Sequence, residues 1–452
     1  MNISILAAGA GGMYCGSCMR DSTIAHALRN MGHHVTLIPL YTPLRNERDV
    51  GATREVFYGG VNVYLQHASE LFRKTPRVLD WVFDRPWLLN LAGRAGAQTD
   101  PAELAGLTVE ILKGEDGAAS KELHRLTDFL RDSVRPDVIV LPNVMFLGMA
   151  REFRERVGVP VVCELTGEDI FLEAMKPADR DRVRGIVRAR AKDVTRFVAT
   201  SRFYADKMAD YLGVGAASID VVPTGLSPDY FAPPAAGGAA AAGGGGSGGK
   251  RPLTVGYVAR QCPEKGLGLL VDAMVRLRGL ANMWDVRLKV AGYAGAKDAE
   301  WLAALKQKAT AAGLASQVDW AGEVSIDAKI KLLDAVDVFT LPTTVPEPKG
   351  ISAVEAMARG VPAVLPNHGS FPELVAATGG GRLVRPNDAE ALARGLADLL
   401  RDAPVRRALG NAGRAAVTAR YTERRMAEDM VRVFASLGGD VAPARGPVAA
   451  GV

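Results

Sequence analysis

The sequence has few cysteines, no long apolar run and little net charge. Four cysteines in 452 residues are too few for a disulfide framework, which fits a reducing cytoplasm. No apolar stretch is long enough to span a bilayer, and Met1-Asn2 leads straight into a predicted strand, so we expect no signal peptide. A net charge of +5 spread along the chain does not indicate a nucleic-acid partner. These observations leave an ordinary soluble globular protein of two or three domains.

Residues 338–375 carry the strongest local pattern. The apolar run VFTLP predicts a buried strand that ends at Pro342. The segment SAVEAMARG predicts a helix with Ser352 as its N-cap. Glu347 would then lie on the loop before this helix, and Glu355 about one turn into it. The two carboxylates therefore flank the start of one helix.

The start of this helix suits a sugar nucleotide. Free backbone amides at a helix N-terminus bind phosphate, and the amides expected here are those of Gly350, Ile351 and Ser352. A carboxylate beside them can accept hydrogen bonds from ribose or sugar hydroxyls. The arrangement fits a ligand with a diphosphate in the middle and hydroxyls at each side. The alternative is a capped helix in an unrelated α/β domain.

The same block resembles the donor motif of the family 4 glycosyltransferases, which are retaining enzymes of GT-B fold. The family pattern has two glutamates separated by seven residues, then a helix rich in small residues, GVPVV, a Gly and Pro-Glu. The matching positions are Glu347, Glu355, Ala356, Gly360-Val361-Pro362, Gly369 and Pro372-Glu373. The resemblance implies an α/β chain of GT-B architecture, with two doubly wound, Rossmann-like domains facing a cleft. It also implies a C-terminal helix that crosses back to the N-terminal domain.

A second match follows the strand LTVGYVA. Two cations at a strand end would pair with a diphosphate, whereas a solvated charged loop is the alternative. The family has an Arg, four residues, a Lys and a Gly at this place, matched by Arg260, Lys265 and Gly266. In the family the turn after the strand VDWAG lies beside the nucleobase. The candidates there are Gly322, Glu323 and Val324.

The resemblance implies retaining transfer of a sugar from a nucleoside diphosphate sugar to an unidentified glycan, lipid or small molecule. Arg260, Lys265 and Glu347 are the catalytic candidates, and the two cations with the helix amides would stabilise the departing diphosphate. In the family the leaving phosphate oxygen takes the acceptor proton. We therefore expect no metal and no cofactor. A sugar-nucleotide epimerase or hydrolase of the same fold, and a non-catalytic binding protein, are the alternatives.

The sequence departs from the family at two places. Most members have His-Gly after the strand that here ends in CEL, and this chain has Thr166 and Gly167. Because ligands bind at the carboxyl ends of parallel strands, we expect these residues, with Glu168 and Asp169, to face the sugar or the acceptor. Lys349 replaces an aromatic residue of the family and would supply a cation near the sugar. The alternative is that Thr166 only caps the next helix.

The N-terminus predicts a β-α-β unit with a glycine turn at Gly11-Gly12, where backbone can approach a ligand closely. Gly12 is therefore a candidate donor-binding residue. A nicotinamide-cofactor loop is disfavoured because the second strand, HVTLIPL, lacks an acidic residue at its end. The loop also resembles the N-terminal loop of family 4 glycosyltransferases.

Cys15 and Cys18 form a CxxC pair on this N-terminal loop. If Cys163 and Cys262 lie near strand ends that face the same cleft, four thiols would suit a zinc ion. The other interpretation is that all four are small buried residues near a binding cleft.

Residues 72–94 are rich in aromatic, arginine and leucine side chains. One interpretation is an interfacial segment that contacts the membrane and finds a lipid acceptor. The other is a set of helices that pack on the first domain. We expect a cytoplasmic protein, at the inner face of the membrane if the first interpretation holds. Nothing in the sequence predicts the oligomeric state.

The chain divides by composition and pattern into five parts. We expect an N-terminal domain on the acceptor side over 1–231 and a mobile Gly/Ala linker over 232–250. A sugar-nucleotide domain would follow over 251–420, then the crossover helix over 421–437. The tail, 438–452, is expected to be disordered.

Overall fold

The computed structural model describes residues 1–8, 16–40, 101–233, 251–280 and 283–437. Of the predicted features, the Gly12 turn, Cys15, residues 72–94, most of the linker and the C-terminal tail lie outside these ranges. The side chain of Cys18 also lies outside the described part.

The chain forms two compact units. The first comprises Met1–Thr200, Tyr204–Pro223 and Arg424–Val452, and the second comprises Ser201–Phe203 and Thr224–Glu423. Over the residues that the structure describes, each unit contains one parallel sheet of six strands. This confirms the α/β class that the family resemblance implies.

Residues 224–231 belong to the second unit, whereas the division by sequence placed them at the end of the N-terminal domain. The reason is packing: Leu226 and Tyr230 are buried in the hydrophobic core of the second unit. The amide of Leu226 also donates to the carbonyl of Tyr421, at 2.7 Å. These residues are therefore available to the site of the second unit.

The sheet of the first unit consists of short strands in which most residues are buried. They are β1 Asn2–Ala7, β2 His34–Pro39, β3 Val138–Leu141, β4 Val161–Leu165, β5 Arg196–Ala199 and β6 Ile219–Val221. Their spatial order is β2-β1-β3-β4-β5-β6. Strands of a parallel sheet are buried on both faces, and this explains the continuous apolar runs ISILA and VVCEL.

Helices connect the strands of the first sheet. They are α1 Gly16–Asn30, α2 Pro101–Leu112, α3 Ser120–Phe129, α4 Asp169–Glu173, α5 Pro177–Arg190 and α6 Arg202–Leu212. Short 3-10, α and π turns also occupy Val144–Val157. Because α1 begins at Gly16, Cys18 lies in this helix and not on the preceding loop, contrary to the prediction.

The sheet of the second unit repeats the arrangement. Its strands are β7 Thr254–Val258, β8 Arg287–Ala291, β9 Val318–Gly322, β10 Val338–Thr340, β11 Ala363–Pro366 and β12 Gly381–Val384. Their spatial order is β12-β11-β10-β7-β8-β9. Strand β10 ends at Thr340, before the predicted limit at Pro342.

The helices of the second unit follow its strands. They are α7 Leu267–Arg278, α8 Ala299–Ala311, α9 Ile326–Asp334, α10 Ile351–Ala358, α11 Phe371–Thr378, α12 Ala389–Arg401 and α13 Ala403–Arg420. Helices α10 and α11 begin after the carboxyl ends of β10 and β11. Their first turns therefore lie at the edge where parallel sheets bind ligands.

The last helix, α14 Glu423–Ser436, packs on the first unit. Its apolar side chains recur at helical spacing, and Met426, Met430 and Val433 join Ile5 in one hydrophobic core. The predicted return of the C-terminal helix to the N-terminal part of the chain is confirmed. Among the described residues, no helix is both long enough and apolar enough to cross a membrane.

Candidate active site

Glu347 and Lys265 form an ion pair in the second unit. Lys265 Nζ donates to Glu347 Oε2 at 2.6 Å. The other carboxylate oxygen, Oε1, accepts from the amides of Lys349 and Gly350, each at 3.3 Å. Glu347 is 6% exposed. The two loops that sequence motifs singled out thus meet at one carboxylate.

The charge of Glu347 depends on this pairing. Burial by itself raises the pKa of a carboxyl group. The positive charge and hydrogen bond of Lys265, with the amides of Gly350 and Lys349, outweigh burial and hold the pKa of Glu347 below its ordinary value. The ion pair is therefore present at neutral pH.

The start of α10 differs from the prediction. Gly350, not Ser352, is the N-cap residue, and it adopts the left-handed conformation with φ of 66°. Ser352 is the second residue of the helix, because the chain can turn into the helix only where Gly350 permits this backbone. The amide of Gly350 is not free, since it donates to Glu347. The amides of Ile351 and Ser352 open the helix, where N–H groups have no intrahelical partner.

Two glycines allow the loops to approach each other. A Cβ atom on Gly266 would overlap the carbonyl of Pro342, and one on Gly369 would overlap the backbone of Glu347. Both residues have positive φ. Close contact between the loop that carries Lys265 and the end of β10 therefore requires glycine.

Arg260 lies on the same loop as Lys265. Its Nε donates to Cys262 Sγ at 3.2 Å, and its guanidinium is 3.6 Å from Glu264. The hydroxyl of the buried Tyr257 is 3.3 Å from the carbonyl oxygens of Arg260 and Lys265 and donates to both. Tyr257 thus anchors both ends of the cationic loop, a role that the sequence analysis missed.

Glu355 is the centre of a second cluster. Its Oε1 accepts from the hydroxyl of Tyr230 and from Nζ of Lys329, both at 2.6 Å. Glu355 is 4% exposed. The glutamate motif of the sequence contains Glu355 but neither of these partners. Tyr230 and Lys329 come from segments distant along the chain, and no short motif contains all three residues.

The turn predicted to lie beside a nucleobase leads to this cluster. Gly322 ends β9 with φ of 67°, and its carbonyl accepts from the amide of Gly292 at 2.7 Å. Glu323 and Val324 follow, and Val324 packs against the core. Ser325 then caps α9, the helix that carries Lys329. The turn and Glu355 are thus connected through one short helix.

The loop of Thr166 lies in the first unit and is held by its own carboxylates. Glu168 Oε2 accepts from the amide of Thr166 at 2.7 Å, and Oε1 accepts from the amide of Val144 at 3.4 Å. Asp169 accepts from the hydroxyl of Tyr204 at 2.7 Å and pairs with Lys207. Glu168 and Asp169 therefore have partners within this unit.

The alternative that Thr166 caps the next helix is wrong. Helix α4 begins at Asp169, and its N-cap residue is Glu168, not Thr166. Gly167, with φ of 105°, lets the chain reverse so that Glu168 reaches the amide of Thr166. The pKa of Glu168 is raised by burial first and by neighbouring Asp169, although backbone amides act in the opposite direction.

Cys163 is buried within β4 of the first unit, and Cys262 is buried on the cationic loop of the second. Burial raises the pKa of both thiols. Within the described ranges, no group of three or more His, Cys, Asp or Glu residues is arranged to hold a metal ion. Because Cys15 and the side chain of Cys18 are not described, the zinc interpretation stays untested.

Two family models match the chain. The model for glycosyl transferases group 1 matches residues 247–416, and the glycosyl transferase 4-like domain matches residues 22–225. Together they cover most of the sequence, including the whole second sheet and every strand of the first sheet except β1. The glutamate block and the cationic loop lie in the first match, and the Thr166 loop lies in the second.

Curated relatives include two mannosyltransferases of Mycobacterium tuberculosis. A GDP-mannose-dependent alpha-(1-6)-phosphatidylinositol monomannoside mannosyltransferase is 31% identical over 55% of this chain and 62% of the relative. A phosphatidyl-myo-inositol mannosyltransferase is 30% identical over 57% of this chain and 63% of the relative. The chain thus spans less than two thirds of the length of these relatives.

Solved structures resemble almost the whole chain. The HepE protein of Anabaena, in complex with UDP and glucose, has a TM-score of 0.66 at 17% identity, over 96% of this chain and 100% of that one. The sucrose-phosphate synthase of Thermosynechococcus elongatus has a TM-score of 0.69 at 17% identity, over 96% and 98%. These likenesses concern the fold, and together with the two parallel sheets they identify it as GT-B. The family models and the mannosyltransferase relatives show that the chain belongs to the family 4 glycosyltransferases.

Proposed function

We propose that the protein transfers a sugar, with retention of configuration, from a nucleoside diphosphate sugar to an acceptor hydroxyl. The observation that supports this most is the Lys265–Glu347 pair beside the first turn of α10, at 2.6 Å. A cation next to the opening amides of a helix is a site for a diphosphate. The neighbouring carboxylates accept hydrogen bonds from hydroxyls of the sugar and the ribose.

The chemical step is a substitution at the anomeric carbon of the donor. The acceptor oxygen bonds to this carbon while the bond from the carbon to the diphosphate oxygen breaks. The acceptor proton passes to the leaving phosphate oxygen on the same face, so the configuration is retained. Negative charge develops on the diphosphate, and charged donors that are already in place stabilise such charge.

Protein groups supply the positive charge in this proposal. Lys265 is oriented by Glu347, and Arg260 is fixed on a loop anchored by Tyr257. The opening amides of α10 add partial positive charge. We therefore propose that the reaction proceeds without a metal ion and without a cofactor.

The donor and acceptor classes come from the relatives. Both mycobacterial proteins are named as mannosyltransferases, one of them as GDP-mannose-dependent, and both names contain phosphatidylinositol or its myo-inositol form. We propose a hexose donor, with GDP-mannose as the first to test. The proposed acceptor is a hydroxyl of a membrane lipid headgroup, which would place the reaction at the inner face of the membrane.

Incubation with GDP-mannose, UDP-glucose and other sugar nucleotides, with lipid extract as acceptor, tests the proposal. Mass spectrometry should detect an acceptor heavier by one hexose, and NMR should show the anomeric configuration of the donor in the product. The yield should be unchanged in EDTA. Equal sugar release with and without acceptor would favour a hydrolase or epimerase. Tight nucleotide binding without turnover would favour a binding protein.

A further inference from the structure

We propose that Tyr230 and Lys329 are positioning residues that occupy one oxygen of Glu355 and reserve the other for the two adjacent hydroxyls of a ribose. The proposal rests on the proposed function, in which Glu355 receives the nucleoside of the donor. It adds a specificity: the enzyme would prefer ribonucleotide donors over deoxyribonucleotide donors through residues that do not touch the ligand.

Both donors reach the same carboxylate oxygen. The Tyr230 hydroxyl and Lys329 Nζ each lie 2.6 Å from Oε1 of Glu355. The ammonium of Lys329 also lies 5.5 Å from the centre of the Tyr230 ring. Tyr230 is buried and the Lys329 side chain is 15% exposed. The two donors therefore act together on Oε1.

The number of acceptor positions on the Glu355 carboxylate explains the expected preference for ribose. An ionised carboxylate has about four lone-pair positions, two on each oxygen. Tyr230 and Lys329 fill those of Oε1, and among the described residues none donates a hydrogen bond to Oε2 of Glu355. Oε2 therefore keeps about two acceptor positions. This equals the number of hydroxyls on a ribose ring, whereas a dideoxyribose offers none.

The protonation of Tyr230 supports its role as a donor. Burial raises the pKa of Tyr230 well above its ordinary value, and the negative charge and hydrogen bond of Glu355 raise it further. The phenol therefore keeps its proton at neutral pH and donates a hydrogen bond to the carboxylate. A phenylalanine at this position would keep the ring and remove only the hydrogen bond.

One buried arginine connects the three segments that carry Tyr230, Lys329 and Glu355. The guanidinium of Arg359, which directly follows α10, donates to the carbonyl of Tyr230 at 3.0 Å. It also forms a bidentate ion pair with Asp334, at 2.7 and 2.9 Å. Asp334 ends α9, the helix that carries Lys329, and Glu355 lies on α10. The geometry at Glu355 is thus fixed by the packing of the unit.

The test compares nucleotides with and without ribose hydroxyls. UDP and GDP, each with its 2′,3′-dideoxy form, are titrated by calorimetry against the wild type, Tyr230→Phe and Lys329→Met. The wild type should prefer the ribose form of the nucleotide it binds by at least about tenfold, as expected for hydrogen bonds to a charged group. Both variants should lose most of this preference. In an activity assay, both variants should have a higher KM for the sugar nucleotide, and their kcat should stay within about twofold of the wild type.

Two further variants make the result specific. Lys308→Met removes an exposed lysine that pairs with Asp272 at 2.6 Å in the same unit, and it should keep the full preference. Lys329→Arg keeps the positive charge and should retain most of the preference for the ribose form. If Lys329→Met melts early, the retained preference of Lys329→Arg, measured below its melting temperature, still distinguishes positioning from folding.

The outcomes separate this inference from the proposed function. If the wild type prefers ribose and Glu355→Gln abolishes the preference, but Tyr230→Phe and Lys329→Met keep it, the positioning role is wrong and the proposed function stands. If the wild type binds neither nucleotide, or binds ribose and dideoxy forms equally, the nucleoside role of Glu355 falls and this inference falls with it.

Discussion

Glu347 and Glu168 are similarly buried carboxylates, one in each unit, and their pKa values are shifted in opposite directions. Each lies on the loop after a strand of a parallel sheet, Glu168 after β4 and Glu347 after β10. They are 7% and 6% exposed, so burial acts on both alike. Yet the pKa of Glu168 is raised and that of Glu347 is lowered.

The difference comes from the neighbouring charges. Lys265 lies 2.6 Å from Glu347, whereas Lys207 of α6 pairs with Asp169 and leaves Glu168 beside a second carboxylate. A cation within a few ångströms lowers the pKa of a carboxyl group by more than burial raises it, whereas a neighbouring carboxylate raises this pKa further. The second unit thus keeps Glu347 ionised beside Lys265, where a diphosphate would bind. In the first unit, Glu168 accepts hydrogen bonds from backbone amides of its own unit instead.

The largest expected effect comes from removing the cations of the second unit. Lys265→Ala and Arg260→Ala should each lower kcat/KM by roughly 10²–10³, as for the loss of one electrostatic donor in a transition state. Steady-state kinetics with varied donor measures this. Lys308→Ala is the matched control and should change kcat/KM less than twofold. A loss confined to the KM of the acceptor would assign both cations another role.

The close approach of the two loops can be broken without touching a charge. Gly266→Ala should lower the free energy of unfolding by roughly 2–4 kcal/mol, because the left-handed backbone and the overlap with Pro342 both oppose a Cβ atom. Gly322→Ala is the control: φ is also positive, but nothing lies within 4 Å of the added atom, so a loss of about 1–2 kcal/mol is expected. Equal losses in urea unfolding would show that the contact contributes nothing.

The loop of the first unit should affect turnover more weakly. We predict that Thr166→Val lowers kcat at least tenfold with little change in melting temperature, because the backbone amide that binds Glu168 is retained. Lys349→Met should also lower kcat at least tenfold. Its melting temperature should change little, because the hydrogen bond from the backbone amide of residue 349 to Glu347 is retained. Normal turnover in either variant would remove that side chain from the proposed site.

The smallest effect is the pH dependence of stability, and it should have opposite signs for the two glutamates. The lowered pKa of Glu347 adds stability above its ordinary value of 4.5, which is lost as pH falls through the folded pKa. The raised pKa of Glu168 adds stability below 4.5, which is lost as pH rises through the folded pKa. Melting temperatures of Glu347→Gln and Glu168→Gln, relative to wild type from about pH 3 to 7, should therefore diverge in opposite directions. If the melting temperatures of the two variants changed with pH in the same direction, the opposite pKa shifts of Glu347 and Glu168 would be contradicted.

The sequence predicted the parts of the site that lie in short motifs. Arg260 and Lys265 share one loop, and Glu347 and Glu355 flank one helix start, so local spacing was sufficient to find them. Tyr230 and Lys329 were missed because they meet Glu355 only through packing, and Lys329 looks like any lysine on an amphipathic helix. The fold was implied by the family resemblance, and the apolar runs of the strands agree with it because they indicate burial on both faces of a sheet.

The wrong details have a common cause. Ser352 has the side chain of a typical N-cap, but the left-handed backbone of Gly350 places the N-cap of α10 two residues earlier. Thr166 likewise resembles a cap, yet the loop closes through the carboxylate of Glu168. In both cases backbone conformation and a tertiary hydrogen bond decided the local structure, and residue preferences alone do not contain this information.

The most direct test of the central claim is the contribution of the diphosphate to binding. Calorimetry would compare UDP with uridine and GDP with guanosine, for the wild type and Lys265→Ala. The account predicts that the wild type binds the nucleoside diphosphate at least about a hundredfold more tightly than the nucleoside, and that Lys265→Ala narrows this ratio at least about tenfold. An unchanged ratio in Lys265→Ala would contradict the assignment of the Lys265–Glu347 pair to the donor diphosphate.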